Sequence, residues 1–134
     1  MADLAPKPPL PVVLLVDDEA ALLDSVGIVL QESFKIYTAS SVAEADLRLA
    51  ARRFDVIVCD HMLPGEQGLD FLSRVLEVMP STKRILMTGY TNPEFISRST
   101  VIAGLSACLV KPVRPSEIAA AINAALAGRP APGP

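Results

Sequence analysis

Short apolar runs alternate along this chain with longer stretches in which hydrophobic residues recur at helical spacing. The runs that predict strands are residues 12–16, 35–38, 56–59, 84–87 and 105–110. Each run is followed by apolar positions three or four residues apart, the pattern of a helix with one buried face. This alternation predicts five βα units around a parallel sheet. The second run is the most polar, which favours a place near an edge of the sheet.

Several helix boundaries are also marked in the sequence. Ser41 and Glu44 have the spacing of a capping box, in which each side chain satisfies a free backbone N–H at the helix start. Asn92 followed by Pro93 predicts the start of the fourth helix, because the first is a good cap and the second suits the first helical position. Pro80 ends the third helix.

Both ends of the chain are rich in proline, which predicts extended tails. We expect an N-terminal tail over residues 1–10, one folded domain over residues 11–128, and a C-terminal tail or the start of a linker over residues 129–134. A chain of 134 residues with 51% hydrophobic content fits a single domain with a sizeable core.

Composition and charge exclude several classes of protein. A net charge of −3 without a Lys/Arg stripe argues against direct binding to nucleic acid. No apolar run reaches the roughly 18 residues of a membrane span, and the N-terminus lacks the pattern of a signal peptide. Cys59 and Cys108 fall inside apolar runs, where buried reduced thiols are expected. We therefore expect a cytoplasmic protein without a membrane segment.

Polar residues that can handle a metal or a phosphate follow four of the apolar runs. Asp17 and Asp18 follow the first run, Asp60 the third, Thr88 the fourth and Lys111 the fifth. In an open parallel sheet, ligands bind outside the carboxyl ends of the strands. The sequence therefore predicts one site that contains three carboxylates, a hydroxyl and an ammonium group.

The chemistry of these groups suits phosphoryl transfer. Clustered carboxylates repel one another unless a cation lies among them, and Mg²⁺ prefers oxygen ligands. Asp60 is the best candidate nucleophile, because Asp can form an acyl phosphate and this residue lies alone at the end of the central run. Taken alone, Asp17 and Asp18 could equally cap the following helix.

The full set of motifs resembles the receiver domain of two-component response regulators, and the resemblance covers about residues 11–128. Its motifs are Val16-Asp17-Asp18-Glu19, Asp60 with Met62-Leu63-Pro64-Gly65 and Gly68, Thr88-Gly89, and Lys111-Pro112. The resemblance implies an α/β flavodoxin-like fold, a doubly wound (βα)5 domain with a parallel sheet of order 2-1-3-4-5. It also implies a cis Lys111–Pro112 bond.

The resemblance further implies a phosphorylation-dependent switch that is not a conventional enzyme. Asp60 would accept a phosphoryl group from a histidine kinase or a phosphotransfer protein. Mg²⁺ or another divalent cation would be held by Asp18, Asp60 and the backbone carbonyl of Met62, with Asp17 acting through water. Thr88 and Lys111 would each bond a phosphoryl oxygen. An output domain beyond residue 134 and a homodimer through the last two helices both stay open.

This chain departs from the family pattern at Cys108, where many receivers carry a Tyr or Phe that moves on phosphorylation. Either a shift of the Thr88 loop alone serves as the switch, or nearby Tyr90 replaces the missing ring. Met62 and Tyr90 are bulky residues at the positions that flank the acceptor, and we expect them to slow hydrolysis of the acyl phosphate. His61 should point away from Asp60 in an alternating strand, which favours a packing role over a role as a ligand.

Three other functions compete with the switch. A phosphohydrolase of the haloacid-dehalogenase type needs Asp-x-Asp after its first strand, which Asp17-Asp18-Glu19 does not provide. In a flavodoxin proper, the same three acids would repel the flavin phosphate. A pseudo-receiver that acts as a constitutive interaction module is the remaining alternative, although all five site residues are present.

Overall fold

The computed structural model describes residues 9–128 of the chain. These residues form five strands that alternate with five helices. In chain order the elements are β1 (Val12–Val16), α1 (Ala20–Leu30), β2 (Lys35–Ala39), α2 (Val42–Ala51), β3 (Val56–Asp60), α3 (Gly68–Val78), β4 (Lys83–Thr88), α4 (Pro93–Ala103), β5 (Ala107–Val110) and α5 (Pro115–Leu126).

The five strands form one parallel sheet in the order β2-β1-β3-β4-β5. This is the doubly wound, flavodoxin-like arrangement that the sequence predicts, and the polar strand β2 lies at an edge as expected. The order reverses direction between β1 and β3. Ligands bind at such a switch point, outside the carboxyl ends of the strands.

Two hydrophobic layers cover the sheet, one on each face. The first layer packs α1 and α5 on the sheet and includes Val13, Val58, Met87 and Ile122. The second layer packs α2, α3 and α4 on the other face and includes Leu14, Ile57, Phe71 and Leu86. β3 is buried along its whole length, which explains its continuous apolar sequence.

A buried arginine, Arg84 in β4, fixes the C-terminal end of α4. Its Nε donates to the Ala103 carbonyl at 2.9 Å and its Nη2 donates to the Gly104 carbonyl at 3.0 Å. The remaining guanidinium nitrogen donates to the carbonyls of Pro80 and Thr82. Burial lowers the pKa of Arg84, and the four carbonyl dipoles compensate its charge.

The start of β5 and the cap of α2 differ from the sequence prediction, while β2 and β3 run one residue further at the C-terminal end and β4 one residue further at each end. β5 begins at Ala107, two residues later than predicted, because Gly104 adopts φ +56° and the Leu105 N–H turns back to the Thr100 carbonyl of α4. At the start of α2, Ser41 accepts from the Glu44 N–H as predicted. The Glu44 carboxylate instead accepts from the Ser40 hydroxyl, so the capping box is only half formed.

Helix α4 begins where the sequence predicts, and helix α3 ends where the sequence predicts. The Asn92 side chain accepts from the Glu94 N–H at 2.8 Å, with Pro93 in the first turn. α3 ends at Val78, just before Pro80. Residues 1–8 and 129–134, which include most of the two predicted tails, lie outside the described part of the chain. Within residues 9–128, no helix has the length and apolar character needed to cross a bilayer.

Candidate functional site

Four strand ends bring the predicted site residues to one edge of the sheet. Asp17 directly follows β1 and Lys111 directly follows β5, while Asp60 and Thr88 are the last residues of β3 and β4. Because the four strands are parallel neighbours, their ends open onto the same crevice. The location predicted from the sequence is therefore the one that the fold provides.

Asp17, Asp18 and Asp60 form an acidic cluster in this crevice. Each offers a carboxylate oxygen, and the three oxygens lie within 4.8 Å of one another. Asp17 is fully buried and Asp60 is 5% exposed, whereas Asp18 faces solvent. Three oxygens at this spacing, with one face open to water, suit a hard divalent cation that keeps part of its hydration shell.

Helix capping does not account for these aspartates. α1 begins after Glu19, whose side chain makes no capping hydrogen bond. One oxygen of Asp17 accepts from the Glu19 N–H at 2.9 Å, and the other faces Lys111. Asp17 thus shapes the turn after β1 while it contributes charge to the crevice.

Lys111 lies between the two buried carboxylates. Its Nζ is 3.1 Å from Oδ2 of Asp17 and 3.2 Å from Oδ1 of Asp60. Burial opposes the ammonium charge, but the hydrogen bond to Asp17 and the charges of Asp17 and Asp60 outweigh it and raise the pKa of Lys111. The Lys111–Pro112 peptide bond is cis, as the family resemblance implies.

Asp60 ionises less readily in this site than a free carboxyl group does. Burial and the negative charge of Asp17 raise its pKa, although Lys111 and a hydrogen bond from the Met62 backbone act in the opposite direction. Ionised Asp60 is therefore held at a cost in the folded state. Stability from this group falls as the pH rises from the ordinary value of 3.8 to the raised folded pKa.

We expect Asp60→Asn to stabilise the metal-free protein at neutral pH, because the amide removes this buried charge. The melting temperature should rise by about 4 °C, the shift that roughly 1 kcal/mol produces in a domain of this size. Mg²⁺ should raise the melting temperature of the wild type and have little effect on the variant. Differential scanning fluorimetry in EDTA and in Mg²⁺ measures both shifts.

Asp24→Asn is the matched control, because Asp24 is exposed on α1. It should change stability by less than about 0.5 kcal/mol and leave the Mg²⁺ shift intact. A lower melting temperature for Asp60→Asn, or an undiminished Mg²⁺ shift, would contradict this account of Asp60.

Thr88 is fully buried at the end of β4, and its hydroxyl oxygen accepts from the Tyr90 backbone N–H at 3.0 Å. The hydroxyl hydrogen can still be donated to another acceptor. At Gly89, an added Cβ would meet no atom within 4 Å, so the space beside Thr88 is open. The approach to Thr88 on the Gly89 side is therefore unobstructed.

Gly68 is a site residue whose role the sequence analysis did not identify. An ideal Cβ built there would lie 2.1 Å from the Asp60 carbonyl oxygen and 2.9 Å from Cα of His61. The Gly68 N–H donates to the His61 carbonyl at 2.9 Å, which explains the close approach. The first residue of α3 thus fixes the backbone of the acceptor strand. The only signal in the sequence was the glycine in the family motif.

The residues that flank Asp60 differ in burial. His61 is 3% exposed, and its Nδ1 accepts from the Leu69 N–H at 3.4 Å, which suits the predicted packing role. Met62 and Tyr90 are 56% and 45% exposed, and the Tyr90 hydroxyl lies 3.6 Å from the Met62 sulfur. Contact between these two side chains links the loops after β3 and β4.

Both cysteines are free thiols, but only Cys59 is buried as predicted. Cys59 is buried in β3, and burial followed by the nearby charge of Asp60 raises its pKa well above the usual value. Cys108 is half-buried in β5, and burial raises its pKa as well. Both thiols are thereby kept protonated, which favours packing over reactivity.

Comparison with known proteins agrees with this geometry. The family model described as response regulator receiver domain matches residues 13–123. The hydrogenase transcriptional regulatory protein HoxA of Cupriavidus necator is 38% identical over 106 residues, which cover 79% of this chain and 22% of HoxA. DevR/DosR, a DNA-binding transcriptional activator of Mycobacterium tuberculosis, is 36% identical over 121 residues, which cover 87% of this chain and 55% of that protein.

Solved structures give the same result. The CheY-like receiver domain protein of Methanospirillum hungatei superposes with a TM-score of 0.81 at 30% identity, covering 89% of this chain and 95% of that one. This chain spans about a fifth of HoxA and about half of DevR/DosR, so those relatives are considerably longer. By its family match, its fold and its acidic cluster, the chain belongs to the response regulator receiver domains of two-component signalling.

Proposed function

We propose that this domain is a phosphorylation-dependent switch in which Asp60 accepts a phosphoryl group. The observation that carries the proposal is the position of the Lys111 Nζ, 3.1 Å from Asp17 and 3.2 Å from Asp60 beside an open acidic crevice. Phosphoryl transfer depends mainly on positioning and on stabilising charge. An acceptor carboxylate with an ammonium group and a cation site next to it meets both needs.

In the proposed reaction, a carboxylate oxygen of Asp60 attacks the phosphorus of a phosphohistidine. An O–P bond forms as the P–N bond breaks, and the imidazole nitrogen leaves with the bonding electron pair. Lys111 and the Thr88 hydroxyl each bind a phosphoryl oxygen. Asp18, Asp60 and the Met62 carbonyl would hold Mg²⁺, with Asp17 acting through water, and the bound ion would supply positive charge to the phosphoryl oxygens.

The donor would be a histidine kinase or a phosphotransfer protein, as membership of the family implies. HoxA and DevR/DosR are named as transcriptional regulators and are longer than this chain. We therefore propose that the phosphorylated domain regulates a transcriptional or other output, located either beyond residue 134 or on a separate partner. A homodimer through α4 and α5 remains a further proposal.

The direct test is intact-mass measurement after incubation with Mg²⁺ and acetyl phosphate. The wild type should gain one phosphate, and hydroxylamine should remove it because an acyl phosphate is labile to this nucleophile. Asp60→Asn should gain none, whereas Asp24→Asn should behave as the wild type. Absence of an adduct in the wild type, also with a phosphorylated kinase as donor, would favour the pseudo-receiver.

We expect the acyl phosphate to hydrolyse slowly, because Met62 and Tyr90 meet beside the acceptor and hinder attacking water. Met62→Asn and Tyr90→Glu should each accelerate hydrolysis roughly tenfold, equivalent to ~1.4 kcal/mol of barrier. Decay of the adduct followed by mass measures the rate. Thr91→Glu, an exposed change in the same loop, is the control. Equal rates in all four proteins would refute this screening role.

A further inference from the structure

Three rings connect the candidate site to the first turn of α4. His61 follows Asp60, Tyr90 lies in the loop after β4, and Phe95 is in α4. The ring centroids are 5.7 Å apart for His61 and Tyr90, 5.1 Å for His61 and Phe95, and 5.0 Å for Tyr90 and Phe95. All three pairs meet edge to face, the geometry that aromatic rings prefer. We call these three residues the aromatic cluster.

The members of the cluster differ in how firmly they are held. His61 is buried, and its ring nitrogen accepts from the Leu69 N–H at the start of α3. Phe95 is half-buried and packs against the hydrophobic layer under α4. Tyr90 is 45% exposed and is the least buried of the three rings. It is therefore the member with the least packing around it, in contact with two more buried rings.

Tyr90 is also tied directly to the residue proposed to bind the phosphoryl group. Its backbone N–H donates to the Thr88 hydroxyl oxygen at 3.0 Å. If the Thr88 side chain rotates about χ1 to bring its hydroxyl to a phosphoryl oxygen, the hydroxyl oxygen moves, and this hydrogen bond must either move the Tyr90 backbone or break. Either outcome changes the position of the Tyr90 ring against Phe95. This step rests on the proposed function of Thr88.

An aromatic route through β5 is absent from this chain, because position 108 carries a cysteine. Cys108 and Phe95 pack against the same hydrophobic layer. Of these two residues, Phe95 is the one whose side chain meets the Tyr90 ring. We infer that the aromatic cluster couples the phosphorylation state of Asp60 to the N-terminal half of α4, with Phe95 as the positioning residue on that helix. The output surface then includes the start of α4.

Hydrogen exchange measured by mass spectrometry tests this coupling on the whole chain. In the wild type, acetyl phosphate with Mg²⁺ should change the exchange rate of amides in the first half of α4 at least threefold. Phe95→Leu should form the same Asp60 adduct but reduce this change to less than half. Phe95→Tyr, which keeps the ring, should restore it. Cys108→Ala should respond as the wild type.

Tyr37→Leu is the matched control, because Tyr37 is a half-buried ring at the opposite edge of the sheet. It should leave the response of α4 intact. A normal response of α4 in Phe95→Leu, or loss of the response in Cys108→Ala, would overturn the inference. The proposed function would still stand if these proteins form the Asp60 adduct. Failure of the wild type to form an adduct would overturn the proposed function and this coupling with it.

Discussion

Gly68→Ala should destabilise the domain by about 3 kcal/mol, near the upper end of the usual cost of overpacking a core. The added Cβ would lie 2.1 Å from the Asp60 carbonyl oxygen and 2.8 Å from the carbonyl carbon. Both are backbone atoms of a buried central strand, so no flexible side chain can move aside. Relief requires α3 to shift away from β3, which displaces the loop that carries Met62.

Urea denaturation measures the loss of stability, and acetyl phosphate labelling measures the effect on the acceptor. Labelling should fall at least tenfold, because a displaced Asp60 no longer faces Lys111 correctly. Gly27→Ala is the matched control, since Gly27 is also helical and its nearest neighbour would be 3.9 Å from the added Cβ. It should stabilise the protein by roughly 0.5–1 kcal/mol. Equal effects of the two substitutions would refute the close-approach argument.

Lys111→Met should cause the second large loss of stability, and bound metal should partly restore it. The variant removes the cation that compensates the buried carboxylates of Asp17 and Asp60. Breaking a buried pair by removing one partner typically costs about 3–5 kcal/mol, and the open side of this crevice favours the lower figure. Mg²⁺ should recover much of the lost stability, because the metal ion brings positive charge to the same carboxylate oxygens.

Chemical denaturation in EDTA and in Mg²⁺ separates these two contributions. Phosphorylation should fall by about 10²–10³, comparable to the removal of one charge-stabilising donor from an enzyme site. Lys83→Met is the control, because Lys83 lies at the opposite end of β4 and forms none of the ion pairs found within residues 9–128. A stability loss that Mg²⁺ fails to reduce would contradict the proposed shared role of the ammonium group and the metal.

The sequence predicted the fold well because local signals and topology agreed. Apolar runs marked the strands, and the polar residues at their ends placed Asp17, Asp60 and Lys111 at one edge of the sheet. The start of β5 was less predictable. Leu105 is apolar and suits a strand, but its N–H closes the end of α4 instead.

Contacts between elements distant in sequence could not be read from the pattern. Nothing local indicated that Gly68 touches the Asp60 backbone, because that contact depends on how α3 packs on β3. Phe95 is an apolar residue in the first turn of α4, and its contacts with His61 and Tyr90 depend on the packing of α4 beside the loop after β4. Arg84 occupied a strand position and gave no sign that it serves four carbonyl groups.

The hydrogen bonds of Arg84 anchor the C-terminal end of α4, whereas the Asn92 cap and the packing of Phe95 hold its other end. If the helix rotates about its anchored end near Gly104, the 11 residues of α4 act as a lever. At 1.5 Å per residue the arm is about 16 Å long, so a tilt of roughly 10° displaces the opposite end by about 3 Å. The displacement caused by such a tilt is largest beside Phe95 and vanishes beside Arg84. A partner that responds to the tilt would therefore bind at the start of the helix.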